Sequence, residues 1–573
     1  MFNSFHMHLS PDQPLAGILA PLFALRSVND LGIGDTESLR QFVDWAAENN
    51  FRLVQLLPIN ETGHDNSPYN AISSVAIDPC TLAISPTAIP DLTPAAHEEV
   101  LNEVSLKSLR TGPVKYRRVK PLKRRLLEKA FEGFMETQWK NKTARCLQFR
   151  AWAKEQATWI EGYSLFRALM DENGGSERWD TWPGPQQTLE SARAWLLVQK
   201  AEVRRALELK MRYFQYVQWL AFAQWGALKT YCESKGVALM GDVPIGVNYY
   251  SSDVFCYPEI FNLRWSGGAP PEKAFKCDPF TENWGQNWGV PLYRWDVLRA
   301  TGFAWWRQRV RRVREIFHLF RIDHVLGFYR MYGFPWRPER NAEFLPLSED
   351  EARARTGGDL PHFTPRDDST ALNREANRRD GEEYLRALLE EVGEYRLSGE
   401  DLGVVPDYVR PNLASLGIAG FKIPQWERQP NWHLVRGSDY QRLSIATYAT
   451  HDHPPLAALW EQMCAAAQSG DGHQRWELEQ LCGFAGFGID GPRPLTDAIH
   501  EALLAGLFQS NAWLAIVMIT DVFGDTTRFN VPGAVADSNW SERVARDPSQ
   551  WRIDKARVAK MGRIAALIKT SGR

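Results

Sequence analysis

Carboxylates recur at the ends of four apolar, strand-like runs in this chain of 573 residues. Asp242 lies in the run 237–247, and Asp323 stands in Arg321-Ile322-Asp323-His324. Glu400 ends the run 395–400, and Asp452 sits between His451 and His453 after Thr450. Any one of these could be a cap or a turn residue. Four on different strands converge at one rim if the strands run parallel. Side chains alternate across a strand, so Arg321 and Asp323 share one side. A guanidinium beside a carboxylate favours the ionised form, and an ionised carboxylate can act as a nucleophile. The same two residues would also make a satisfied core ion pair. Glu400 needs the opposite tuning to serve as a general acid, which takes an apolar wall or a nearby negative charge. One ionised and one protonated carboxyl form the pair that cleaves glycosidic bonds.

The elements that must position these groups follow from the apolar pattern. Runs at 16–23, 51–59, 237–247, 316–324, 395–400, 420–424, 443–450 and 513–522 read as buried parallel strands. Helical patterns separate most of them. One starts at Asp35 as N-cap, one covers 203–235 with Gly236 as its stop, and others cover 303–315 and 382–392. Repeated β-then-α order predicts an α/β protein with a closed (β/α)8 TIM barrel, read as a single catalytic domain over 1–573. The gap between the second and third strands is too long for one crossover. Residues 80–200 are therefore expected to form an inserted, mostly helical subdomain, and further loop insertions are expected at the C-terminal face. The basic stretch 115–125 reads as a solvated helix face rather than a nucleic-acid site.

Composition excludes several classes. With 67 basic and 69 acidic residues the net charge is −2, so nothing favours nucleic acid or an anionic membrane. The apolar stretch 512–519 is far short of the roughly 20 residues of a membrane span, and no secretion signal is evident. Seven scattered cysteines without a Cys-x-x-Cys pair read as the reduced thiols of a cytoplasmic protein. Phosphate-loop, dinucleotide, zinc-helix and nucleophile-elbow motifs are missing. Metal binding by His451 and His453 is a weaker reading than a sugar-binding or core role. The 23 Trp, 28 Phe and 17 Tyr fit a large core, and also fit sugar recognition, in which flat rings cover pyranose faces.

A series of motifs then runs in order along nearly the whole chain. These are Leu57-Pro58-Ile59-Asn60, Asp65-Asn66-Ser67-Pro68-Tyr69-Asn70, Trp179-Asp180-Thr181-Trp182-Pro183 and Gly241-Asp242-Val243-Pro244-Ile245. Gly268-Ala269-Pro270-Pro271 and Gly285-Gln286-Asn287-Trp288-Gly289 follow. After the catalytic strand ends come Asn530-Val531-Pro532-Gly533 and Asn539-Trp540. Together they resemble the 4-α-glucanotransferases of the amylomaltase type, glycoside hydrolase family 77. The resemblance implies a retaining transglycosylase on a (β/α)8 barrel acting on α-1,4-glucans and maltooligosaccharides, with no metal or organic cofactor. It implies Asp323 as nucleophile, Glu400 as acid/base and Asp452 as the third carboxylate. It places Arg321 and His451 beside this trio, Tyr69 as a ring against the sugar and Asp242 as a supporting aspartate. Gln286, Trp288 and Asn530 are assigned to substrate binding on the same ground.

Residues 266–288 resemble the family's lid loop, with Phe275, Phe280, Trp284 and Trp288 as its rings. For the first three, inward packing is an equal alternative. Three departures stand out: Val325-Leu326 after the nucleophile, extra lid residues including Cys277, and His453 after Asp452. An α-glucan hydrolase and a silent glucan-binding protein are the rival readings, and the intact trio argues against silence. The oligomeric state, monomer or homodimer, is left open.

Overall fold

The computed structural model describes residues 7–271, 278–532 and 538–573. Twelve strands follow in chain order: β1 (Leu15–Leu19), β2 (Leu53–Gln55), β3 (Ala238–Pro244), β4 (Phe261–Ala269), β5 (Gln286–Tyr293) and β6 (Leu319–Asp323). Then come β7 (Met331–Phe334), β8 (His362–Thr364), β9 (Leu397–Gly399), β10 (Gly420–Lys422), β11 (Ser444–Ala446) and β12 (Leu514–Met518). Eight of these form one parallel sheet in the order β10-β11-β12-β1-β2-β3-β6-β9. All eight arise from the apolar runs of the sequence, and the sheet curls into the expected (β/α)8 barrel.

Period-two alternation sorts their side chains. Leu53, Met240, Leu319, Phe421, Ile445 and Ile516 fill the barrel interior. Ile18, Val54, Leu239, Phe320, Ile322 and Val517 face outward onto helices. The polar residues of the site continue the interior rows. Asp242 follows Met240 by two, and Arg321 and Asp323 follow Leu319 by two and four.

The barrel closes between β9 and β10 through a single bridge, Ser398 to Ala419. The buried Asp401 carboxylate strengthens this seam, accepting from the Phe421 backbone N–H at 2.6 Å and from Arg410 Nε at 2.9 Å. Only glycine fits at 420, because a Cβ there would stand 2.7 Å from Asp401 Oδ2.

Helices cover the outside. Thr36–Glu48 starts where expected, with the Asp35 side chain accepting from Ser38 N. Ala304–Ile316 leads into β6 and Ala371–Val392 into β9. Between β2 and β3 lie Pro94–Leu101, Tyr116–Phe134, Ala144–Glu155, Ala157–Glu172, Leu189–Leu197 and the long Ala201–Ser234. Several of these pack in one hydrophobic cluster with the outer faces of β1 and β2.

In the basic stretch 115–125 the arginines Arg117, Arg118, Arg124 and Arg125 are exposed, as a solvated face requires, but one lysine departs from it. Lys123 is buried, donating to the Cys80 and Leu82 carbonyls at 2.6 and 2.8 Å. Lys120 donates to Thr62 Oγ1 and the Gly63 carbonyl. A lysine is tolerated inside because backbone oxygens replace its water.

A second sheet, antiparallel in the order β5-β4-β7-β8, rises at the C-terminal rim. It changes the picture of residues 266–288. Their two ends are strand, and Pro279–Trp284 is a short helix capped by Asp278. Phe280 and Trp284 pack inward with Phe334, Trp336 and Phe344, which is the second of the two readings held for them. Lys273, Phe275 and Cys277 lie outside the described residues, as does Gly533.

Adding a methyl at the seam tests its tightness. Gly420→Ala should lower unfolding stability by about 1–3 kcal/mol, the usual range for overpacking. Denaturant titration would show this, and an unchanged midpoint would mean the Asp401 contact has room to relax.

Candidate active site

The centre of the site is Arg321, on the inner face of β6. It is 3% exposed. Its Nη1 donates to both Asp242 oxygens at 2.8 and 2.7 Å. Its Nη2 lies 2.8 Å from Asp323 Oδ1 and 4.0 Å from Glu400 Oε2. One guanidinium thus faces three carboxylates from three neighbouring strand ends. Burial works to deprotonate it, but Asp242, Asp323 and Glu400 hold its pKa well above the ordinary value.

Asp323 and Glu400 share a single nitrogen of Arg321. Their nearest oxygens are therefore no farther apart than the sum of the two distances. That bound is compatible with the roughly 5–5.5 Å separation of retaining pairs. Their environments differ. Asp323 sits directly on the cation. Glu400 is farther from it, and burial followed by the Asp323 charge raises its carboxyl to about 8 against the pull of Arg321. Only Glu400 is moved clearly from its ordinary range, and its neighbour Asp323 carries the closer contact with the cation.

The backbone contributes to this pair. His324, directly after Asp323, adopts a left-handed φ of 48°. Its N–H donates to Glu400 Oε2 at 2.9 Å. A non-glycine residue held in this region is strained, and such strain collects at functional sites.

Asp452 comes from the loop after β11. Asn530 Nδ2 donates to its Oδ1 at 2.6 Å, and His451 Nε2 lies 3.2 Å from its Oδ2. Burial alone would raise this carboxyl, but His451 and the Asn530 amide hold it below its ordinary value. Arg528 donates to the Asp452 carbonyl at 2.8 Å.

Tyr69 closes the far side. Its hydroxyl donates to Asp242 Oδ2 at 2.7 Å, and its ring stacks on His451 at 5.0 Å. Trp288, on β5, meets His324 edge-on at 4.9 Å and donates to Gln286 Oε1 at 3.1 Å. Gly285, at φ 101°, makes the turn that starts β5, and a Cβ there would strike the Ala269 carbonyl at 2.2 Å. His453 turns away from this centre. Its Nδ1 faces Thr450 Oγ1 at 2.8 Å, so His451 and His453 serve different partners.

Every residue that the sequence proposed for the site therefore lies in one connected cluster. Trp540 and Arg528 join it without having been proposed as site residues. The Trp540 ring lies 5.8 Å from both Tyr69 and His451. Asn539-Trp540 was visible as a motif, but nothing local to it points at the barrel mouth. Arg528 carries no signal beyond standing two residues before Asn530.

The geometry agrees with comparison to known proteins. Residues 20–547 match the model of glycoside hydrolase family 77, described as 4-alpha-glucanotransferase. A 4-alpha-glucanotransferase of Chlamydia pneumoniae is 28% identical, covering 95% of this chain and 93% of its own. One from Thermus thermophilus is 29% identical over 88% of this chain and 90% of its own. In fold, the chain is similar to an amylomaltase from Streptococcus agalactiae solved with acarbose. That structure has a TM-score of 0.71 at 20% identity, covering 98% of this chain and 100% of that one.

Replacing the shared cation tests its role. Arg321→Met leaves Asp242 buried and without its charged partner, and should cost about 3–5 kcal/mol of stability by denaturant unfolding. A loss below about 1 kcal/mol would mean that the carboxylates protonate or rearrange without it.

Proposed function

The chain belongs to the 4-α-glucanotransferase family, and we propose that Asp323, Glu400 and Asp452 carry out its transfer of α-1,4-glucan segments between maltodextrins. Asp323 attacks the anomeric carbon while Glu400 gives its proton to the departing glycosidic oxygen. The bond from the anomeric carbon to that oxygen breaks, and a glycosyl ester on Asp323 forms. Glu400, now ionised, takes the proton of an acceptor hydroxyl, which displaces Asp323 and restores the α configuration. One observation carries this reading. Arg321 sits directly on Asp323 but 4.0 Å from Glu400, and Glu400 is raised to about 8.

The other roles follow from the same contacts. Asp452, fixed by Asn530 and His451 and held ionised, is suited to accept from sugar hydroxyls. Asp242 spends its oxygens on Arg321 and Tyr69 and acts through them. Tyr69, held by its hydroxyl and by His451, offers a fixed ring for a pyranose. Trp288, 37% exposed beside His324, offers a second flat surface, and Gln286 orients it. The segment around 266–288 would shield the intermediate from water and so favour a sugar acceptor.

Maltodextrins derived from starch or glycogen are the substrates this reading names, in the cytoplasm. Six described cysteines, Cys80, Cys146, Cys232, Cys256, Cys464 and Cys482, are free thiols, which suits that compartment. No helix among the described residues is long and apolar enough to cross a membrane.

Incubation with maltotriose, with products resolved by chain length, tests the proposal. Glucose with a ladder of longer maltodextrins is the expected outcome. Glucose and maltose alone would identify a hydrolase.

Protonation of Glu400 makes a second prediction. The acid form is the working form, and its pKa is raised. Activity should therefore persist through neutral pH and be lost as pH rises past about 8. The free-enzyme profile of kcat/KM should fall about tenfold per pH unit on that limb. A limb near the ordinary glutamate value, about 4–5, would overturn the acid role.

A further inference from the structure

His453 directly follows Asp452, and its surroundings lead away from the carboxylate cluster. Its ring meets Trp426 edge-on at 4.9 Å. Trp426 ends the turn Pro424–Trp426 that leaves the C-terminal end of β10, and it is 43% exposed. The chain then forms a narrow hairpin. Arg428 and Leu434 bridge as an antiparallel pair, and the Gln429 and Val435 N–H groups donate across it to the His433 and Glu427 carbonyls, each at 2.9 Å. At its tip stands Trp432, 72% exposed.

Two observations set Trp432 apart from an ordinary surface ring. Its φ is 68°, a conformation that suits glycine or asparagine and penalises a bulky side chain. The hairpin that holds it is also anchored. Arg428 pairs with Glu477 and donates to the Gln425 carbonyl at 2.8 Å, while His433 Nδ1 meets Gln480 Oε1 at 2.8 Å. Glu477 and Gln480 both lie on the helix Gly472–Phe484. A large flat ring is thus held out to solvent on a braced support.

We propose that this hairpin is a glucan-holding arm, in which Trp426 at its base and Trp432 at its tip are successive platforms for sugar rings of a chain leaving the catalytic centre. The reading rests on the proposed transfer of α-1,4-glucan segments. The base of the arm lies near the site, since Trp426 packs on His453 and His453 directly follows Asp452 in the chain. Six residues of chain separate the two rings, a span of at most about 20 Å when extended. Both rings are exposed, and Arg428, which donates to the Trp432 carbonyl at 3.2 Å, is already paired with Glu477, so the tip offers an aromatic face suited to the C–H faces of a neutral polyol. The arm therefore acts on chain length. Short sugars occupy the catalytic centre alone, and long ones gain a second contact.

Trp432→Gly tests this, because glycine also relieves the left-handed φ and so keeps the hairpin. With maltotriose, kcat and KM should be unchanged. With amylose, KM should rise about fivefold at unchanged kcat, the scale of one lost aromatic contact. Binding is read separately in the inactive Asp323→Asn background by retardation in native gels containing amylose. Addition of Trp432→Gly should weaken that retardation by a similar factor. Unchanged amylose KM and retardation, or equal changes on maltotriose and amylose, would overturn the arm. Failure of the wild type to lengthen maltotriose would instead overturn the transferase reading, while the gel still decides whether the hairpin holds glucan.

Discussion

The site depends on one buried cation. Arg321 lies inside the barrel, where a lone guanidinium would be very costly, and it is tolerated because Asp242 and Asp323 neutralise it at 2.7–2.8 Å. The dependence runs both ways. Asp242 is tied to Arg321 and to the Tyr69 hydroxyl, so the position of the Tyr69 ring depends on the same ion pair. Glu400 lies at the margin of this charge cluster. It is close enough to be placed by it and too far to be fully ionised by it. A single cation thus has one tight and one loose carboxyl neighbour, and the loose one, Glu400, is raised by burial and by the Asp323 charge.

Backbone geometry supports that division. If His324 were in an ordinary extended conformation, β6 would run on. The left-handed φ breaks the strand directly after Asp323 and turns the next N–H onto Glu400 Oε2. This hydrogen bond favours the ionised form of Glu400, and so it opposes burial and the Asp323 charge. The balance leaves the carboxyl at about 8 rather than higher, near enough to neutral pH for the same group to give a proton and later take one. Trp288, packed edge-on to His324, covers the strained residue and ties β5 to the backbone that donates to Glu400.

The barrel and its polar rim were legible because their signals are local. A strand buried on both faces reads as a continuous apolar run, and period two assigns Arg321 and Asp323 to one side without further information. The antiparallel sheet was not legible. β4 and β5 mix Gly, Pro, Asn and Arg with apolar residues, and β4 lies between β5 and β7, both of which follow it in sequence. Without an apolar period, 266–288 reads as loop. Lys123 was misjudged for a related reason. A basic run signals solvent only when no backbone carbonyls are waiting, and the Cys80 and Leu82 carbonyls lie more than 40 positions upstream. Trp540 reaches Tyr69 and His451 across similarly remote sequence.

These long-range ties give the helices between β2 and β3 a role in the site. Tyr116, which opens the helix Tyr116–Phe134, donates to the Trp540 carbonyl at 2.6 Å, and Trp540 itself has a φ of 61°. Lys120 on the same helix holds the Thr62 and Gly63 end of the segment that leads to Tyr69. Arg167 on Ala157–Glu172 lies 3.1 Å from the buried Glu61, one residue earlier. The loops bearing Tyr69 and Trp540 are therefore braced from outside the barrel, by side chains that never reach the carboxylates. A bare barrel strand end positions only the residue or two that follow it. The rings of Tyr69 and Trp540 sit farther out, and for them rigidity has to come from packed helices. On this argument the large insertion contributes precision of the aromatic surfaces, while the chemistry stays with β3, β6, β9 and β11.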